Sequence, residues 1–164
     1  MQKPVYFGGT QPGPRVLLLH GFLGHPEDWR GVWEAGPQVG EWVAPWLPGH
    51  GRNPSQISIS SLSDQLSGLT KGQPFDLCVG YSLGARCARA IEPSSTLWRN
   101  LLLVSHDPRT PKRAVERFAQ DVQRAHDLVT LGMDAFLEHW YRLPLFRGMS
   151  PTEQFLDRRR VHQP

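Results

Sequence analysis

The sequence predicts an α/β fold, a mostly parallel sheet with flanking helices followed by an all-helical segment. Three observations predict it. Short continuous apolar runs at Val16–Leu19, Phe75–Val79 and Leu101–Val104 suit strands buried on both faces. Helical patterns lie between these runs, and such alternation is the mark of parallel strands joined by crossover connections. After Val104 no strand pattern recurs.

Each element has its own warrant. Val16–Leu19 is bounded by Pro14 before and His20-Gly21 after. In the stretch PEDWRGVWEAG, Pro26 suits a first helical turn, Glu27 and Asp28 suit its positive end, Trp29 and Trp33 share a face, and Gly36 can end the helix. GEWVAPWLPGHG carries a second apolar stretch into a Pro-Gly turn, with Pro45 weakening the strand locally. Leu62, Leu66 and Leu69 fall on one helical face after Ser60 and Ser61 as caps. Phe75–Val79 and Leu101–Val104 are the next strands, with the helix LGARCARAI between them. Val115, Phe118, Val122, Ala125 and Val129 form a helical stripe, Gly132 breaks it, and MDAFLEHWY starts another helix. Residues 1–108 thus read as the core, and 109–164 as a helical cap segment and tail of the same domain.

Composition narrows the class. At 164 residues and 39% hydrophobic, the chain suits one domain with a core of its own. The formal charge of +3 is mild, and its basic residues are scattered apart from Arg158-Arg159-Arg160, so neither nucleic acid nor a membrane is an expected partner. Cys78 and Cys87 match no metal or redox spacing and read as buried reduced thiols. MQKPVYFGG is no signal segment and no run approaches transmembrane length, so a cytoplasmic location is expected.

The chemistry sits in Gly80-Tyr81-Ser82-Leu83-Gly84, a G-x-S-x-G pattern with a strand before it and a helix after. A serine at so sharp a turn is forced into a strained backbone, and small flanking residues let strand and helix close up. Ser82 is therefore the candidate nucleophile, and the Leu83 amide at the helix start is a candidate oxyanion donor. Leu19-His20-Gly21-Phe22 is placed to supply a second donor, from Phe22 or Leu23, with His20 bracing the loop. Leu47-Pro48-Gly49-His50-Gly51 adds a rigid turn after the next strand. These three signatures, in this order, resemble the α/β-hydrolase fold superfamily from Val16 to about Val104.

LHGFLGHPEDW, LPGHG, GYSLGAR and the downstream FLEHWYRLPLF together resemble a narrower group, the 2-succinyl-6-hydroxy-2,4-cyclohexadiene-1-carboxylate synthase family of menaquinone biosynthesis. Arg86, four residues after the serine, and the Trp140–Phe146 stretch carry most of that likeness, which reaches about Met149. The resemblance implies a lyase that removes a proton from its substrate, 2-succinyl-5-enolpyruvyl-6-hydroxy-3-cyclohexene-1-carboxylate, and eliminates pyruvate, with no metal or organic cofactor. It implies Ser82 as the catalytic serine and Tyr81 beside it. Arg86 and Arg117 would bind substrate carboxylates, and Trp140 would form a pocket wall. The residues agree on one point, since guanidinium forks suit a polycarboxylate and Arg86 lies one turn beyond Ser82.

Two features depart from the family pattern. Trp46 stands where an aspartate is usual. The acid and histidine of the superfamily follow the serine on loops after two further strands, and no segment after Ser82 has that form. His106-Asp107 follows a strand and places Asp107 as a weak candidate acid, while His126, His139 and His162 lack a strand-loop context. The expectation is a C-terminally truncated relative of low or no activity, whose Leu101–Val104 strand is an open apolar edge suited to self-association. Two other readings stand beside the lyase: another serine esterase or hydrolase of the same fold, and a non-catalytic fragment.

Overall fold

A computed structural model describes residues 2–52, 58–92, 96–106 and 111–160. The chain forms two compact units, Met1–His106 and Asp107–Pro164.

The first unit is built on five strands, β1 (Val5–Gly8), β2 (Gln11–Leu19), β3 (Val39–Ala44), β4 (Leu77–Tyr81) and β5 (Leu101–Val104). They lie in the order β1-β3-β2-β4-β5, with β1 antiparallel to β3 and every other pair parallel. Alternation along β2 divides the core. Leu17 and Leu19 face a cluster with Val43, Leu62, Leu66, Phe75, Ala88 and Ile91, while Val16 and Leu18 face Phe7, Trp33 and Ala44. Helices α2 (Ile59–Ser67) and α3 (Leu83–Ile91) supply the first cluster, and α1 (Arg30–Ala35) supplies Trp33 to the second.

Local chemistry sets most boundaries. Pro26 opens a 3-10 turn at Pro26–Trp29 that runs into α1, and His25 caps it in a reciprocal box with Asp28. Gly36 closes α1. Ser58, rather than Ser60 or Ser61, is the N-cap of α2, accepting the Ser61 amide at 3.1 Å. Leu69 lies past the end of α2 and still packs against the core cluster. Strand β4 starts two residues later than its apolar run, because Phe75 makes only an isolated bridge to Trp98. Strand β1 and the first half of β2 carry no readable pattern in the sequence, since Pro12, Gly13 and Pro14 interrupt the run at a register shift.

Arg15 fastens the end of the sheet where β2 enters its buried run. Its guanidinium donates to the carbonyls of Leu69, Thr70 and Gln73, pairs with Glu41 at 3.2 Å, and lies 4.8 Å from the Phe75 ring centre. Glu41 also pairs with Lys71, and hydrogen bonding from Lys71, joined by that from Arg15, holds its carboxyl below the ordinary glutamate value although burial pulls it the other way.

Among the described residues β5 pairs only with β4, and Leu102 and Val104 on it are 50% and 38% exposed. The second unit holds α4 (Pro111–Leu131), α5 (Met133–Tyr141) and α6 (Glu153–Arg160). Gly132 between the first two adopts φ 76°, a left-handed value that ends one helix and starts the next. Met133, Phe136 and Leu137 of α5 are buried, whereas Val115, Phe118, Val122 and Val129 of the α4 stripe remain exposed. No helix among the described residues is long and apolar enough to cross a membrane.

Candidate active site

Strand β4 delivers Ser82 to the turn before α3. Its backbone sits at φ 50° and ψ −103°, outside the regions that a side chain ordinarily allows. The two glycines make this geometry attainable. A β-carbon on Gly80 would lie 2.7 Å from the Ala85 Cα, and one on Gly84 would collide with the main-chain carbonyls of Leu19 and His20. The Gly84 amide then donates to the His20 carbonyl at 3.0 Å, tying α3 to the end of β2. The Ser82 amide donates to Val104 at 2.9 Å, which sets the end of β5 beside the turn.

The residues around Ser82 converge by backbone contact. A β-carbon on Gly21 would stand 3.6 Å from that of Ser82 and 2.9 Å from the Tyr81 ring, so the loop after β2 lies against the serine. Among the described residues no acceptor takes the Leu83 amide, which leaves it available at the start of α3. Of the two loop amides expected as the second donor, that of Leu23 is committed to His50 Nε2 at 3.1 Å. Tyr81 is 44% exposed. Arg86 is half-buried on α3, one turn beyond Ser82, and its amide donates to the Ser82 carbonyl at 3.1 Å.

This arrangement sets an available helix-start amide, that of Leu83, directly after Ser82, with a guanidinium on the same helix. It does not itself deprotonate the hydroxyl, which needs a base. The Ser82 hydroxyl makes no hydrogen bond among the described residues. His20 and His50 are 2% and 4% exposed, and both rings are engaged elsewhere. No hydrogen bond reaches the buried Nδ1 of His106 among the described residues. Asp107 and His162 lie outside them. His126 and His139 are exposed on helices of the second unit. Burial pushes the Cys78 thiol up to about 12 and raises that of Cys87, where the Arg86 charge opposes the shift, so both stay protonated near neutrality. No cluster among the described residues could hold a metal ion.

Trp46, the residue at the unusual position, is buried edge-on to the His25 ring at 4.4 Å. A β-carbon on Gly51 would meet it at 2.8 Å, so the glycine at φ 60° leaves room for the indole.

Arg117 and Trp140 belong to the second unit. The Arg117 guanidinium donates to Asp121 at 2.7 Å, and Arg124 shares that carboxylate at 3.1 Å. Arg124 also lies 5.2 Å from the ring centre of Trp140, which stacks on Phe136 and packs against Phe146. Sequence reasoning passed over Arg124, although its spacing of seven from Arg117 puts both on one face of the helix.

Known proteins share this architecture. No protein-family model matches the chain. A putative 2-succinyl-6-hydroxy-2,4-cyclohexadiene-1-carboxylate synthase from Haemophilus influenzae is 29% identical over 151 residues, covering 85% of this chain and 60% of its own length. The synthase of that name from Pectobacterium atrosepticum is 30% identical over 158 residues, covering 89% and 61%. The chain thus spans about 60% of the length of these curated relatives. The solved structure of MenH from S. aureus superposes with a TM-score of 0.83 at 23% identity, over 99% of this chain and 68% of that one. The fold is that of the α/β-hydrolases, with a mostly parallel sheet flanked by helices.

Proposed function

We infer that the chain, as a homologue of the 2-succinyl-6-hydroxy-2,4-cyclohexadiene-1-carboxylate synthases, carries the serine side of a pyruvate-eliminating lyase site. The observation that carries the reading is Arg86 one helical turn beyond a strained Ser82, on an elbow flanked by the Phe22 loop and the Leu83 amide. The proposed substrate, 2-succinyl-5-enolpyruvyl-6-hydroxy-3-cyclohexene-1-carboxylate, bears several carboxylates, and Arg86 binds one of them as a two-pronged donor. Tyr81 contributes aromatic surface to the substrate, and Arg117 and Trp140 of the second unit are carried over from the family resemblance as further candidates for substrate contact. The Leu83 and Phe22 amides stabilise the oxygen on which charge develops during elimination. We assign the chain to the cytoplasm, the compartment of a soluble acidic metabolite.

Ser82 needs a base before it can act, and none of the described residues hydrogen-bonds its hydroxyl. The reading therefore separates binding from turnover. Calorimetric titration of the purified chain with the substrate tests the first: Arg86→Leu is expected to weaken binding by about tenfold or more. Equal binding by both proteins, with hydrolysis of a simple aryl ester lost in Ser82→Ala, would replace the lyase by the esterase reading.

A further inference from the structure

Two β-turns meet after the end of β2, the first of them against Ser82, and a buried histidine in or just before each serves the other. The first runs Gly21–Gly24, closed by the Gly24 amide on the Gly21 carbonyl at 2.9 Å, with Leu23 at φ 56°. The second runs Leu47–His50, closed by the His50 amide on the Leu47 carbonyl at 3.1 Å, with Gly49 at φ 73° as a Pro-Gly turn requires. His20 immediately precedes the first turn. Its Nε2 accepts the Leu47 amide of the second turn at 3.2 Å, and its Nδ1 contacts the Gly21 carbonyl at 2.9 Å. His50 ends the second turn. Its Nε2 accepts the Leu23 amide of the first at 3.1 Å, and its Nδ1 contacts the Pro48 carbonyl at 2.9 Å.

Amides only donate and carbonyls only accept, so the partners dictate the protons. Both rings must be neutral with the hydrogen on Nδ1. The rings meet edge-to-face at 4.8 Å, and a β-carbon on Gly24 would press on the His20 ring at 2.8 Å. An imidazole suits the task because it fixes a donor and an acceptor on opposite corners of one rigid ring. Apolar side chains would fill the space but leave the Leu23 and Leu47 amides buried without acceptors.

We propose that His50 is a positioning residue, which sets the Gly21–Leu23 loop beside Ser82 by taking the Leu23 amide across from the second turn, while His20, the brace expected from the sequence, returns the exchange at Leu47. The proposal rests on reading Gly21–Leu23 as the oxyanion loop. Phe22 is the second residue of the first turn, and the clasp holds that turn at both ends: at His20 before it and at Leu23 within it. The His20 carbonyl meanwhile holds Gly84, so the same residue ties the loop to the helix bearing the Leu83 amide. The placement of the loop relative to the Leu83 amide therefore depends on these two buried rings.

Nuclear magnetic resonance on the ¹⁵N-labelled full chain tests this without substrate. Long-range spectra at neutral pH are expected to show both rings as the Nδ1–H tautomer. His50→Gln keeps an acceptor near the Nε2 position and is expected to leave Leu23 exchange within about threefold of wild type, whereas His50→Asn stops short of Leu23 and raises it about tenfold or more. In His50→Asn the Phe22 amide resonance moves, while that of Val79 in β4 stays. An Nε2–H tautomer, equal Leu23 protection in His50→Asn, or an unmoved Phe22 amide would overturn the proposal, as would His50→Gln behaving like His50→Asn. Should His50→Asn fail to fold, the wild-type tautomers and His50→Gln decide. Loss of the substrate-binding reading leaves every one of these readouts unchanged.

Discussion

Adding one methyl group at Gly84 tests the elbow without touching the serine. In Gly84→Ala the new carbon would lie 2.5 Å from the Leu19 carbonyl carbon and 2.7 Å from the His20 oxygen, where ordinary contact begins at 3.4 Å. Both neighbours are main chain, inside a parallel strand pair, so no side chain can swing aside. Relief requires α3 to withdraw from β2, which stretches the 3.0 Å bond from Gly84 to His20 and disturbs the packing of Ala85 and Ala88. Overpacking of this kind costs about 3 kcal/mol, the upper end for a site that cannot relax. In a chain of this size that lowers the melting temperature by about 6–12 °C. Gly31→Ala is the matched control. It makes the same chemical change inside α1, where nothing lies within 4 Å, and is expected to raise stability by up to about 1 kcal/mol. Both variants are followed by thermal unfolding, monitored by circular dichroism. A Gly84→Ala melting temperature equal to wild type would refute the close approach on which the elbow rests.

Three further outcomes follow from the same geometry. Ser82→Gly releases the backbone at φ 50° and is expected to raise the urea midpoint by an amount equal to about 1 kcal/mol, after the entropy cost of the added glycine; a lower midpoint would deny stored strain. Arg15→Met strips the donors from the Leu69, Thr70 and Gln73 carbonyls and is expected to cost about 2 kcal/mol in chemical denaturation, with no loss meaning that water replaces the guanidinium at this partly exposed site. Glu41, held below its ordinary value of 4.5 by Lys71 and Arg15, adds stability that is complete above that value and is lost as pH falls through the lower folded one. Glu41→Gln should therefore flatten the decline in stability as pH falls below 4.5; the effect is small because the carboxylate is partly exposed, and an unchanged slope would contradict it.

The parts of the fold that could be read in advance are those in which local chemistry and tertiary pairing agree. Leu101–Val104 is a strand with the bounds its apolar run implies, and α5 starts directly after Gly132 because the glycine takes a left-handed value there. Strand β1 and the first half of β2 were invisible for the opposite reason. Pro12 and Pro14 deny a continuous ladder, and the strand exists because β3 pairs around a register shift. Phe75 was apolar enough to extend β4 but makes an isolated bridge opposite Trp98 instead, through hydrogen bonds with Leu97 and Arg99.

The site divides in the same way. Ser82, Gly80 and Gly84 are adjacent in sequence, and steric necessity makes their pattern readable. The part played by His50 was not readable, because its partner Leu23 lies 27 residues away and a histidine in a Pro-Gly turn has no periodicity to betray it. That bond also commits the amide of Leu23, which the sequence left equivalent to its neighbour Phe22. The Asp121 bridge from Arg117 to Arg124 follows from helical spacing alone, yet its approach to Trp140 depends on how α4 and α5 pack.

The measurement closest to the central claim is pyruvate release from 2-succinyl-5-enolpyruvyl-6-hydroxy-3-cyclohexene-1-carboxylate by the purified 164-residue chain, with and without added imidazole. With no described side chain bonded to the Ser82 hydroxyl, release is expected to run about 10³-fold or more below that of a full-length relative. Imidazole in solution should raise it, and Ser82→Ala should remove the gain. Release that persists unchanged in Ser82→Ala would contradict the assignment of the serine. Release as fast as a full-length relative without imidazole would contradict the expectation that rests on the absence of a base at Ser82 among the described residues.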